Sequence, residues 1–269
     1  MIVIKLQGGL GNQLFQWALG RSLGISLREK VYYDLSFLIK GNVSTKREYE
    51  LNIYENANID IFQNDFDIRS WSDEPNKQFL KISDDFHFKN FSLNENYHLY
   101  FDGYWQSEKY FSDIREIILD ELELSDDNKI KLDSKYKMLD KNLTSLHIRR
   151  TDYTSSNGFH PVQDLDYYDK ALEIIGKYDN LMIFSDDIEW CKNNLKYDRM
   201  IFVEGNKNYE DIYLMSKCNN NILANSSFSW WGAWLNKNNN KKVISPSKWF
   251  GESANIYTGD IIPNDWIKI

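Results

Sequence analysis

The stretch IVIKLQGGLGNQLFQWA, residues 2–18, decides the architecture of the first part of this chain. Its apolar opening suits a buried strand, and a glycine-rich turn follows at residues 7–11. From Asn12 to about Leu27, apolar residues recur at a helical spacing. Residues 30–35, KVYYDL, are the next strand candidate. A strand, a tight turn, a helix and a second strand predict the start of a Rossmann-like unit.

A similar alternation of strands and helices fills the second half of the chain. Strands that alternate with helices form parallel sheets, so we predict an α/β fold with two Rossmann-like lobes facing a cleft. We place the N-terminal lobe at residues 1–140 and the C-terminal lobe at 141–269, with the boundary in the charged stretch 125–142. Residues 36–97 show no clean period. The predicted strands are 98–105, 144–149, 181–185, 200–203, 221–224 and 242–245, and the predicted helices are 114–124, 167–176, 187–195, 208–217 and 227–236.

Composition and charge exclude several classes of protein. The 269 residues carry a net charge of −8, which argues against a broad electrostatic surface for nucleic acid. Cys191 and Cys218 show neither metal-ligand spacing nor a disulfide framework, which favours a reducing compartment. We find no signal-peptide pattern and no apolar run long enough for a membrane span, so we predict a cytoplasmic protein. Aromatic residues make up 15%, which fits stacking on sugar rings as well as core packing.

The glycine-rich turn admits two interpretations. A dinucleotide fingerprint would use Gly9 and Gly11 as its first two glycines, but Leu14 stands where the third belongs. Asp34 does end the second predicted strand, where a ribose-binding acid would lie. Alternatively, the turn serves another ligand, and Asn12 either caps the helix or hydrogen-bonds a sugar.

The motif SLHIRRTDY, residues 145–153, ends an apolar strand in polar side chains. Side chains at the carboxyl end of a parallel strand face the ligand crevice. His147 and Arg149 share one side of the strand, while Arg150 points to the other unless the strand has already ended. One arginine can bind a diphosphate and offset charge on a departing group, while the other pairs with Asp152. A purely structural arginine–aspartate pair is the alternative.

Acidic motifs give one candidate nucleotide contact and no metal site. In FSDD, residues 184–187, Asp186 and Asp187 can accept hydrogen bonds from guanine or ribose, or cap a helix. DFD at 65–67 and DLD at 164–166 match a common manganese-binding pattern, but neither follows a convincing apolar strand. The histidines show no ligand spacing, so we predict no metal.

The motif ILANSSFSWWGAWL, residues 222–235, runs from a strand into a helix with three tryptophans. Ser226, Ser227 and the first free helical amides form a natural phosphate cradle. No nucleophile arrangement accompanies these serines, so hydrolase chemistry is not supported. At least two of the tryptophans are expected to pack in the core; the three are Trp230, Trp231 and Trp234.

Taken together, these motifs resemble the bacterial α-1,2-fucosyltransferases of glycosyltransferase family 11. GGLGNQLFQWA, GYWQSEKYF (103–111), HIRRTD, FSDD and ANSSFSWWGAWL stand in the family's order over nearly the whole chain. The resemblance implies a GT-B-type fold, GDP-β-L-fucose as donor, inversion to an α-linkage, and neither a metal nor another cofactor. It also implies a galactose-terminated oligosaccharide or glycolipid as acceptor. On charge and the lack of a membrane span, we predict no nucleic-acid partner and a cytoplasmic location that allows peripheral association with the inner face of the membrane.

The resemblance assigns roles to matching positions. The C-terminal lobe would bind GDP-fucose, with Arg149 on the diphosphate, and the N-terminal lobe would lie on the acceptor side. Asn12 would act at the reacting centre, and Asp152 is available as a base. Rival hypotheses are another nucleotide-sugar or nicotinamide enzyme, and a non-catalytic glycan-binding protein. The implied donor-binding positions are Gly11, His147, Arg150, Asp186, Asp187, Ser226, Ser227 and Phe228.

Overall fold

A computed structural model describes residues 1–40, 47–61, 78–91, 97–136, 141–156 and 158–269. The chain forms two compact units. The N-terminal unit comprises Met1–Glu123 and Tyr257–Ile261, and the C-terminal unit comprises Leu124–Ile256 and Ile262–Ile269. Of the helices within the described residues, none is both long enough and apolar enough to cross a lipid bilayer.

The N-terminal unit is built on a four-stranded parallel sheet in the order β2-β1-β4-β3. Its helix α1 is buried along most of its length, with Leu14, Phe15 and Trp17 fully inaccessible to solvent. A helix with apolar residues on most faces must be enclosed, which explains why α1 packs against β1 and β2. The elements are β1 (Ile2–Lys5), α1 (Leu10–Leu27), β2 (Val31–Asp34), α2 (Ser36–Lys40), β3 (Gln78–Ser83), β4 (Tyr97–Asp102) and α3 (Arg115–Glu121).

The C-terminal unit is built on a six-stranded parallel sheet in the order β10-β9-β8-β5-β6-β7. The central strand β5 is buried at every position, as expected for a parallel strand covered on both faces. The elements are α4 (Asp126–Lys135), β5 (Leu143–Ile148), α5 (Thr151–Thr154), α6 (Leu165–Ile175), β6 (Asn180–Ser185), α7 (Ile188–Asn194), β7 (Met200–Phe202), α8 (Asn208–Lys217), β8 (Asn220–Ile222), α9 (Ser227–Trp234), β9 (Val243–Ser245) and β10 (Ile267–Lys268).

The tryptophans of α9 form part of the core, as the sequence predicts. Trp230 and Trp231 are fully buried and Trp234 is nearly so. Their rings contact one another, with centroids of Trp230 and Trp231 5.3 Å apart. Such large apolar surfaces fix α9, and therefore the loop before it, against the rest of the unit.

The division between the units falls between Glu123 and Leu124, earlier than the predicted boundary at residue 140. Helix α4 belongs to the C-terminal unit because it packs on α8. Leu132 of α4 is fully buried, and Lys131 Nζ pairs with Glu210 Oε1 of α8 at 2.7 Å. The charged residues of α4 lie on its exposed faces. The composition of this stretch therefore does not indicate that Leu132 packs in the core.

Replacing Leu132 by alanine should therefore destabilise the C-terminal unit. Removing a fully buried leucine side chain costs about 2–5 kcal/mol of unfolding free energy, measured by urea denaturation. Ile130 of the same helix is 63% exposed, and its replacement by alanine should cost less than about 0.5 kcal/mol. Equal losses from the two variants would contradict the packing of α4 described above.

Candidate active site

The carboxyl ends of three neighbouring strands bring the predicted polar side chains together in the C-terminal unit. Strand β5 lies between β6 and β8, and all three run in parallel. The segments that follow them carry the HIRRTD, FSDD and ANSSFS motifs. In open α/β sheets this edge is where ligands bind. The structure therefore gathers one candidate site from three motifs that are separate in sequence.

Arg149 is held by two carboxylates. Its Nε and Nη2 donate to Oδ1 and Oδ2 of Asp152, each at 2.9 Å, and Nε also lies 3.2 Å from Asp186 Oδ2. Burial opposes the charge of this guanidinium, but the hydrogen bonds to Asp152 and the charge of Asp186 raise the pKa of Arg149 above its ordinary value. Within the described part of the chain, Nη1 has no hydrogen-bond partner. One edge of the guanidinium is thus fixed by carboxylates and the other carries available donors.

Arg150 is also paired, with a carboxylate other than the Asp152 considered in the sequence analysis. Its Nε lies 3.3 Å from Asp187 Oδ2, and its guanidinium carbon lies 3.8 Å from the ring centroid of Trp190. A guanidinium stacked on an indole gains cation–π stabilisation. Of the two arginines, Arg149 is the one that pairs with Asp152, although the resemblance assigns Arg149 to the diphosphate.

The two aspartates of FSDD have different local roles. Asp186 accepts hydrogen bonds from the backbone N–H groups of Arg150 and Thr151, at 2.9 and 3.1 Å, and from the Thr151 hydroxyl. It therefore ties the loop after β5 to the end of β6. Asp187 accepts the N–H of Trp190 at 3.2 Å and caps α7, as one of the two sequence interpretations predicts.

His147 is a buried, neutral histidine. Its Nδ1 lies 2.9 Å from Ser229 Oγ, and its ring centroid lies 5.6 Å from that of Phe228. Burial, aided by the nearby Arg149 guanidinium, lowers the pKa of His147 to about 3. The side chain thus provides hydrogen-bonding groups and a packing surface near Arg149 without adding a second positive charge.

This burial predicts an acid-sensitive fold. The folded pKa of His147 is about 3 and its ordinary value is 6.5, so below pH 6.5 the unfolded chain binds a proton that the folded chain does not. As pH falls from 6.5 towards 4, His147 should lower the unfolding free energy by up to about 1.4 kcal/mol per pH unit. Urea denaturation at several pH values should show a shallower dependence for His147→Asn. Identical slopes for the unaltered protein and His147→Asn would contradict the assignment.

The serines predicted to form a phosphate cradle lie at the N-terminus of α9. Ser226 is the N-cap residue of α9, and its Oγ accepts the N–H of Phe228 at 3.3 Å. Ser227 begins the helix, and Phe228 packs beside His147. The positive end of the α9 dipole therefore lies at the same sheet edge as Arg149.

In the N-terminal unit, Gly11 and Asn12 lie in the first turn of α1. Asn12 does not cap the helix, since Gly9 holds that position; its Oδ1 instead accepts a hydrogen bond from Gln106 Nε2 at 2.8 Å. A carboxylate oxygen of Glu50 accepts the first helical N–H, that of Leu10, at 3.1 Å. An anionic group of the protein itself therefore occupies the usual place of a phosphate at this helix end.

Asp34, the candidate ribose ligand of the dinucleotide alternative, is buried and engaged. Its Oδ1 accepts the backbone N–H of Ser36 at 2.8 Å, and its Oδ2 accepts the hydroxyls of Ser36 and Tyr100 at 3.0 and 2.7 Å. Together with the Glu50 carboxylate at α1, these contacts count against a dinucleotide site in the N-terminal unit.

Sequence reasoning did not single out Tyr153 or Gln106, each of which contacts a predicted site residue of its own unit. Tyr153 donates its hydroxyl to the carbonyl of Asn225 at 2.8 Å, and its ring lies 5.7 Å from the Arg149 guanidinium carbon. Gln106 binds Asn12. Both lie inside motifs quoted above, and membership of those motifs was the available signal.

Comparison with known proteins identifies the family. The model of glycosyl transferase family 11 matches residues 1–269. The chain belongs to glycosyltransferase family 11. This glycosyltransferase is 33% identical to the O-antigen biosynthesis glycosyltransferase WbnK of Escherichia coli, covering 98% of the chain and 99% of the relative. It is 32% identical to an α-1,2-colitosyltransferase of Escherichia coli, covering 100% and 99%. The predicted family resemblance is confirmed.

More distant matches agree with this assignment. The galactoside α-(1,2)-fucosyltransferase 2 of Rattus norvegicus is 28% identical over 50% of this family 11 chain and 43% of its own length. A crystal structure of POFUT1 in complex with GDP superimposes with a TM-score of 0.52 at 13% identity, covering 87% and 93%. That likeness shows the fold, and the α/β fold of GT-B type with parallel sheets is confirmed.

The structure describes only one of the two acidic D-x-D motifs of this glycosyltransferase. Asp164 of DLD caps α6, because its Oδ1 accepts the N–H of Tyr167 at 2.9 Å. A helix cap accounts for that acidic residue. DFD, at residues 65–67, lies outside the described residues.

Proposed function

We propose that this glycosyltransferase transfers L-fucose from GDP-β-L-fucose to the 2-hydroxyl of a terminal galactoside in a surface glycan, with inversion. The observation that carries the proposal is the set of contacts that the Arg149 guanidinium makes. Two carboxylates hold one edge of its guanidinium, and Nη1 on the other edge has no partner among the described residues. A pre-oriented cation with free donors at the carboxyl edge of a parallel sheet suits a diphosphate leaving group.

The surrounding residues fit a donor site of this kind. Ser226, Ser227 and Phe228 would line the phosphates at the N-terminus of α9. Neutral His147 would add a hydrogen bond beside Arg149 without competing for charge. The guanine would be met by Asp187, and Asp186 and Arg150 would shape the same loop. Gly11 stays a predicted donor-binding residue.

Charge stabilisation of the leaving group would supply most of the catalysis. Arg149 would neutralise the GDP that departs as the bond to fucose breaks, which is the task that a divalent ion performs in many nucleotide-sugar enzymes. Asn12 would act at the reacting centre. We assign Asp152 to holding Arg149, since both of its carboxylate oxygens receive N–H groups from that side chain.

Colitosyl transfer is the second candidate, and a specific observation favours it. The α-1,2-colitosyltransferase of Escherichia coli matches the whole chain at 32% identity. Colitose is fucose without its 3-hydroxyl, so one missing hydrogen bond separates the two donors. A site that hydrogen-bonds the 3-hydroxyl would reject the deoxy sugar strongly, while a site without that contact would accept both.

A direct assay distinguishes these possibilities. The protein is incubated with lactose and either GDP-fucose or GDP-colitose, with and without EDTA, and products are read by mass spectrometry and linkage analysis. We expect an α-1,2-linked fucosyl product whose yield is unaffected by EDTA. Transfer from GDP-colitose alone would replace the proposed donor, and loss of turnover in EDTA would defeat the metal-independent mechanism. GDP-mannose serves as the control donor.

A further inference from the structure

Two carboxamides of the N-terminal unit meet at the start of α1. Gln106 Nε2 donates to Asn12 Oδ1 at 2.8 Å. An asparagine whose amide oxygen is held in this way presents its NH2 group, with two N–H donors, away from that contact. Asn12 is therefore fixed as a hydrogen-bond donor toward its surroundings.

Gly8 provides the space in which the Asn12 amide lies. Its φ of 79° is in the left-handed region, and a Cβ added at Gly8 would lie 2.5 Å from Asn12 Nδ2. Any side chain at this position would displace the amide as well as strain the turn. The Asn12 amide is thus confined on two sides. Gln106 binds its oxygen, and the backbone of Gly8 lies next to its nitrogen.

The turn that carries Gln106 is strained. Trp105 has a φ of 56° and is 1% exposed, an uncommon backbone conformation for a bulky buried residue. Asp84 Oδ2 maintains it by accepting the N–H groups of Trp105 and Tyr104, at 2.8 and 3.1 Å. Gln106 Oε1 is buried without a partner among the residues that the structure describes. Backbone strain and an unpaired acceptor at adjacent positions are features that cluster at functional sites.

We propose that Gln106 is a positioning residue for the transfer reaction, because it binds Oδ1 of Asn12 and so directs the Asn12 N–H donors at the reacting sugar phosphate. This role rests on the proposed function, which places Asn12 at the reacting centre. N–H donors stabilise an oxygen that gains negative charge as the bond to the sugar breaks. A reversed amide would present its carbonyl oxygen there and oppose that charge.

The test compares Gln106→Glu, Gln106→Ala and Asn12→Ala with the combination of the two alanine variants. Glutamate has nearly the shape of glutamine, but its carboxylate only accepts, so it would bind Asn12 Nδ2 and turn the donors inward. We expect Gln106→Glu to lower kcat about 100-fold and Gln106→Ala about tenfold, with the donor KM changed less than about threefold.

The double variant separates positioning from a merely structural role. If Gln106 acts through Asn12, Gln106→Ala should have no further effect on kcat once residue 12 is alanine. Additive losses, or a Gln106→Glu protein as active as the unaltered one, overturn the proposal. The unaltered protein is assayed first with GDP-fucose and GDP-colitose. Transfer from neither donor means that the proposed function itself fails, whereas an active protein with additive losses removes only the role of Gln106.

Discussion

Replacing Arg149 by alanine is expected to lower kcat/KM for the nucleotide-sugar donor by about a thousandfold, because charge developing on the leaving diphosphate then meets no fixed cation. Lysine at this position should restore little of the activity. A single ammonium cannot hold both oxygens of Asp152 and also present a second, oriented edge to a diphosphate. Steady-state kinetics and GDP binding by isothermal titration calorimetry measure the two effects.

The competing explanation is that Arg149 serves only as an internal ion pair. Arg21 provides a matched control, since its Nε and Nη2 bind Glu121 in a similar bidentate arrangement within the N-terminal unit, at 2.6–2.9 Å. Arg21→Ala should lower the unfolding free energy while turnover of the folded protein is kept. If Arg149→Ala behaves the same way, with GDP affinity within about twofold of the unaltered protein, the guanidinium is structural and the proposed leaving-group role is lost.

The sheets of both units could be predicted where strands are buried on both faces. Strand β6 contains a continuous apolar run, LMIF, and β5 is buried at every position; each lies within a residue or two of its predicted position. Strand β3 was missed within the segment that shows no period. Its sequence is QFLKIS, it lies at the edge of the sheet, and Leu80 is 45% exposed. A half-exposed edge strand lacks the apolar signal on which the prediction depends.

The residues of the candidate site could be predicted more easily than their pairings. Polar side chains after apolar strands identified Arg149, Arg150, Asp152 and the FSDD motif. Which carboxylate binds which arginine depends on how the loop after β5 folds into the short helix α5, and that turn places Asp152 against Arg149. A strand-like continuation would have separated the two side chains. Alternation along a strand cannot reveal where the strand stops.

The second large effect is expected at Asp186. Its carboxylate accepts hydrogen bonds from the backbone of Arg150 and Thr151 and from the Thr151 hydroxyl, and it lies 3.2 Å from Arg149 Nε. Asp186→Ala leaves these donors without their acceptor and should cost about 2–4 kcal/mol of unfolding free energy. Because the loop also orients Arg149, a shift of about 1 Å should lower kcat/KM roughly 100-fold in the molecules that remain folded.

Asp187→Ala is the matched control, since the neighbouring carboxylate caps α7 and pairs with Arg150 without holding the loop backbone. Loss of the cap should cost only about 1 kcal/mol. If Asp187 recognises guanine, as proposed, its removal should weaken GDP binding while kcat at saturating donor is largely kept. The two adjacent aspartates thus predict opposite signatures, one in kcat and stability and the other in nucleotide affinity. A fall in GDP affinity alone for Asp186→Ala, with stability unchanged, would show that Asp186 meets the nucleotide and that the loop keeps its conformation without it.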